Sequence, residues 1–130
     1  MPRLSFMFFA LAALCALVGM VWGMVMGASG DHAMLAAHAH LNLLGWVGLA
    51  LMGTFHALAA GRVPSALGWT NLALSTAGAI ALPIGLVLLA IGTGPRAVPL
   101  VIFGGASSTL GMAVFLSAVI VAWRNPAPRS

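Results

Sequence analysis

The chain has 130 residues, of which 62% are hydrophobic and 5% charged, with one acidic side chain (Asp31), no tyrosine and a mean hydropathy of +1.14. A soluble domain carries about 25% charged residues, so this chain lacks the polarity to cover a water-facing surface and reads as an integral membrane protein. Its net charge of +4 does not point to nucleic acid: Arg3, Arg62, Arg96, Arg124 and Arg129 stand singly and form no stripe that follows a phosphate backbone. One acid excludes chemistry on paired carboxylates, and the lone Cys15 excludes an intrachain disulfide or a CxxC site. No catalytic centre of its own is expected.

Four apolar runs, near 4–27, 34–60, 66–91 and 98–123, each exceed the roughly 20 residues that a helix needs to cross a bilayer. The connectors at 28–32, 61–65 and 92–96 are rich in Gly, Pro, Ser and Asp, which end helices. The expected fold is all-α, a single domain of four transmembrane helices in an up-down bundle. With the amino terminus in the cytoplasm, Arg3, Arg62, Arg124 and Arg129 fall inside and Arg96 and Asp31 outside. That is the positive-inside pattern, so both termini are expected to be cytoplasmic and the protein a multi-pass component of the cell inner membrane, in contact with lipid. The first run is longer than a signal-peptide core and is expected to remain as a helix. Residues 125–130 read as a short solvated end.

In the first run, Gly19, Gly23 and Gly27 repeat a GxxxG spacing that brings bare backbone to a neighbour. The fourth run has a second small face in Gly104, Gly105, Ser107, Ser108 and Gly111. The third run carries Pro83, which is expected to kink it. Tight packing is the ordinary reading of all three features.

All four histidines fall in or beside the second run. Asp31 is placed to cap that helix, and His32 is expected at the water interface. At about 100° per residue, His38, Asn42, Gly45, Leu49, Met52 and His56 share one face, with His38 and His56 about 27 Å apart along the axis. They cannot hold one ion together. His40 points about 160° away, on a face that continues through Leu44, Val47, Leu51 and Leu58 and offers it no polar partner. His56 sits near the cytoplasmic end, where interfacial polarity accounts for it, although it is also a candidate metal ligand.

Two imidazoles within one turn of a membrane helix point to a cofactor or metal. Divergent side chains on one helix cannot wrap a four-coordinate zinc, whereas haem iron asks for only one or two axial ligands. With no histidine on the other runs, the second ligand would come from Met20 or Met24 of the first run, or from another subunit. Met20, Met24 and Met26 with His38 and His40 alternatively make a soft copper(I) set.

The stretch His40-Leu41-Asn42-Leu43-Leu44-Gly45-Trp46, followed by Met52-Gly53, resembles the second helix of subunit I in the haem-copper oxidase superfamily, most closely the nitric oxide reductase branch. With His38 before it, the stretch is also similar to small oxidase-subunit-like membrane proteins and to haem-containing membrane proteins of the nitric oxide response. The resemblance implies that His40 is an axial ligand of a b-type haem, with Asn42 and Gly45 shaping its setting. It covers about residues 38–56. The three-histidine copper site and the distant second haem ligand of that family have no counterpart here, so gas reduction at a binuclear centre is not implied. The expectation is a haem b protein for electron transfer or diatomic gas binding, as a homo-oligomer or within a larger membrane complex. The alternatives are a cofactor-free accessory or scaffold subunit of a respiratory or photosynthetic complex, and a copper-binding protein.

Overall fold

A computed structural model describes residues 3–125. The expected solvated tail beyond Asn125, and Arg129 with its share of the charge asymmetry, lie outside the described residues. Four helices, each long and apolar enough to cross a membrane, occupy Arg3–Ser29, Leu35–Leu58, Ser65–Ala90 and Val98–Arg124, the last entered through a 3-10 turn at Gly94–Ala97. The first three helices are followed by Gly30, Gly61 and Gly92 with φ of 69°, 79° and 83°. This left-handed conformation ends a helix without the Cβ clash of other residues. The third helix runs on through Pro83 without a break.

The close of the fourth helix meets the second connector at one end of the assembly. Arg62 Nε donates to the carbonyl of Asn125 at 2.8 Å, its Nη2 donates to the carbonyl of Ala122, and Asn125 Nδ2 donates back to the carbonyl of Arg62 at 3.1 Å. A guanidinium thus satisfies the last carbonyls of the fourth helix, where the helix dipole favours a cation. The first helix lies along the second over most of its length, the fourth lies along the third, and the third joins the two pairs.

Glycines do different work in the two pairs. Between the third and fourth helices they let backbone meet backbone. A Cβ on Gly85 would sit 2.9 Å from Val101 N, one on Gly111 2.9 Å from Ser75 N, and one on Gly104 2.6 Å from Leu82 Cα. Between the first and second helices they make room for side chains instead. Gly19 faces the Asn42 amide, Gly23 the His38 ring, Gly45 the Cys15 thiol and Gly53 the Phe8 side chain. Gly27, the third member of the GxxxG series, faces open space.

The second helix is not uniform. It is α-helical over Leu35–His40, π-helical over Leu41–Gly48 and α-helical again over Leu49–Leu58. Asn42 Nδ2 donates to the carbonyl of His38 at 2.9 Å, taking up the acceptor that an α-helical Asn42 N–H would use. Side-chain competition of this kind loosens the backbone ladder, and Gly45 and Gly48 lower the cost of the wider turn. Despite the π segment, Gly45, Leu49, Met52 and His56 are buried together and His38 and Asn42 are half-buried, which is the face expected from the sequence. His40, Val47, Leu51 and Leu58 point outward.

Gly104→Val and Gly105→Val should separate the close approach from mere smallness. Gly105 has open space where its Cβ would be. We expect Gly104→Val to cost about 1–3 kcal/mol or more and Gly105→Val to stay within about 0.5 kcal/mol, read from thermal unfolding in detergent. Equal effects would contradict the packing described.

Candidate functional site

The structure sorts the candidate residues into three places along the second helix. The first is an open groove of about 520 Å³ between the first and second helices, lined by Gly19, Met20, Gly23, Met24, His38 and Asn42. The missing side chains of Gly19 and Gly23 create its floor, and Met20 and Met24 stand at its edge with 60% and 73% of their surface exposed. The His38 ring packs edge-on to Trp22 with centroids 6.1 Å apart, and the Asn42 amide nitrogen lies 3.3 Å from its Nε2. Two thioethers and an imidazole therefore share one concave surface. Met26 is buried and Gly45 is pressed against Cys15, so neither belongs to the groove.

The second place is His40. It is exposed on the outer face of the helix, and its Nδ1 donates to the carbonyl of Ala36 in the preceding turn at 2.7 Å. A carbonyl only accepts, so the bond fixes the proton on Nδ1 and leaves Nε2 as a lone pair directed away from its own backbone. The sequence left His40 without a polar partner; the structure supplies one from its own turn, and only to one nitrogen. Met20 and Met24 line the groove with His38 rather than standing beside His40.

The third place is the other end of the helix. His56 was expected at a wet interface, but it is 5% exposed and belongs to the interior. It stacks on Phe8 with centroids 5.4 Å apart and meets the edges of Phe55 and Phe115. Its Nε2 bonds Asn71 Oδ1 at 3.1 Å. Asn71, fully buried in the third helix, donates through Nδ2 to the carbonyl of Gly111 at 2.9 Å and approaches Ser75 Oγ at 3.3 Å and Met52 Sδ at 3.6 Å. This cluster ties the second, third and fourth helices together. Sequence reasoning missed Asn71, although an amide followed one turn later by Ser75 in an otherwise apolar run was the available signal.

His32 and Asp31 lie in the first connector. Asp31 Oδ1 accepts from the Ala33 N–H at 2.9 Å, a capping bond made over a turn that precedes the helix, and His32 Nδ1 pairs with the carbonyl of Gly30 at 2.9 Å. Among the described residues no three His, Cys, Asp or Glu side chains converge on a metal position. No protein-family model, curated protein or solved structure matches this chain.

Removing the Asn71 amide should leave the His56 Nε2–H without a partner, and the Gly111 carbonyl with only its intrahelical bond. Asn71→Leu is expected to lower stability by about 1–2 kcal/mol, and adding His56→Phe should recover part of that loss. Strict additivity in the double-mutant cycle would show that the two side chains are not coupled.

Proposed function

We propose that the four helices cross the cell inner membrane with both termini in the cytoplasm, and that the chain is a b-type haem protein whose axial ligand is His40. The geometry of His40 carries this reading. An imidazole that ligates a metal commonly donates its other ring N–H to a carbonyl or carboxylate, which sets the tautomer and raises the basicity of the ligating nitrogen. His40 has that arrangement through Ala36, with Nε2 bare and outward. The π-helical turn begins at the next residue, and such turns are frequent at functional positions. The resemblance of 40–53 to a haem-ligating helix supports the same residue. Haem supplies a one-electron iron centre or a coordination position for a diatomic gas. The protein would fix the imidazole, keep the surroundings dry and so tune the iron.

An outward ligand also suits a homo-oligomer or a place in a larger membrane complex, where a neighbouring chain covers the group. A second reading is favoured by the groove. Met20, Met24 and His38 form a soft donor set for copper(I), and they share one surface without any backbone rearrangement. In the haem reading, Met20 and His38 stand as auxiliary groups, Asn42 holds the His38 side, and Gly45 only allows the first helix to approach.

Optical spectroscopy and elemental analysis of one purified sample separate the readings. Haem-supplemented expression should give a Soret band that His40→Ala abolishes or strongly alters and that His38→Ala leaves in place. Copper without a Soret band, lost in Met20→Leu/Met24→Leu, would instead support the groove. Neither iron nor copper would leave the accessory-subunit reading, to be followed by co-purification.

A further inference from the structure

The buried end of His56 defines a site separate from both His40 and the groove. Asn71 Nδ2 faces the carbonyl of Gly111, so Asn71 presents its oxygen to His56 and the shared proton sits on Nε2 of the neutral ring. Nδ1 is then an acceptor, and it makes no hydrogen bond among the described residues. The ring is held in place by Phe8, Phe55 and Phe115. Its Nδ1–Cε1 edge turns toward Gly68, where a Cβ would lie 3.6 Å from Nδ1. Leu4 packs into the position a Gly68 side chain would take, and the His56 ring borders a cavity of about 290 Å³ at the end of the assembly, lined also by Leu4, Ala59, Val63, Pro64 and Gly68 with Ser65 at its edge.

We propose that this cavity binds an uncharged, ring-sized apolar molecule bearing one hydroxyl, of the phenol class, which donates to His56 Nδ1. Each feature of the ligand follows from a wall. The cavity holds no carboxylate or arginine, and the nearby Arg62 guanidinium is engaged by the carbonyls of Ala122 and Asn125, so a charged ligand would find no counter-ion. Nδ1 is reachable from the cavity and receives no donor from the described residues, so a ligand gains by supplying one, which calls for a hydroxyl. A water there needs two to four polar partners, and mostly aliphatic walls serve a ring better. The volume exceeds the roughly 150 Å³ that holds a benzene-sized guest.

The test uses the full chain in lipid nanodiscs with ¹⁵N-histidine labelling, the His56 signals being assigned by their loss in His56→Gln. The probes are 4-propylphenol and its methyl ether, 4-propylanisole, which has the same shape and no donor. We expect a saturable shift of the His56 Nδ1 resonance with the phenol and none with the ether. Gly68→Val, which would push Leu4 out of its position and into the cavity, should abolish the shift, and Ser65→Leu at the rim should weaken it at least several-fold. The Ser65 variant keeps the test decisive if Gly68→Val fails to fold. No saturable shift, an equal response to the ether, or an undiminished response in the cavity variants would overturn the proposal, as would an Nδ1 signal unchanged from its hydrated state. None of these outcomes depends on haem, so failure here is distinguishable from failure of the His40 assignment.

Discussion

Hydrogen-bond partners are scarce inside an apolar helix bundle, and that scarcity shapes the placement of Asn42, Asn71, His40 and His56. Helical backbone satisfies itself, so a buried amide or imidazole gains by finding a carbonyl or another side chain, whereas the hydroxyls of Ser5, Thr76 and Ser108 find none among the described residues. Asn42 takes the carbonyl of its own helix at His38, and the backbone widens into a π turn. Asn71 reaches across to His56 and Gly111, and three helices are joined. His40 takes the carbonyl of Ala36 and turns its other nitrogen outward. One rule thus produces a local distortion, a tertiary link and an exposed acceptor atom.

The glycines show the complementary constraint, that of distance. Close approach through Gly78, Gly85, Gly104 and Gly111 turns the third and fourth helices into one tightly packed pair in which a single added methyl meets backbone. Backbone cannot swing aside as a side chain can, so this contact tolerates little change. The first helix uses the same residue type differently: Gly19 and Gly23 leave hollows that hold Asn42 and His38. A stripe of small residues is therefore a packing device in one pair and a receptacle for polar groups in the other.

Much of this was legible in the sequence. Four apolar runs separated by Gly- and Pro-containing connectors placed the helices to within a few residues, and the 3.6-residue period selected the inward face from His38 to His56. The GxxxG series signalled a close contact without saying what would occupy it, because spacing records an absent side chain and not its neighbour. His56 was read as interfacial since depth along an apolar run does not reveal a partner on another helix. Asn71 was passed over for the same reason: its role exists only once the third helix brings it against the second. The π turn was not foreseen either, because its cause is one side-chain bond rather than a pattern.

The three histidine environments differ in what each ring still lacks. His56 has one nitrogen bonded and one bordering a largely apolar cavity at the end of the assembly, a condition suited to a small neutral guest. His38 sits in an open hollow beside thioethers and is already approached by an amide, which weakens its claim as a strong ligand unless Asn42 moves. His40 has its proton fixed by a short bond, and its free nitrogen lies on the exposed side of the helix. That nitrogen has no partner among the described residues, and in the proposed reading an iron would complete it. Of the three, His40 alone combines a fixed tautomer with a free nitrogen on the exposed face of the helix, and the proposed assignment rests on that combination.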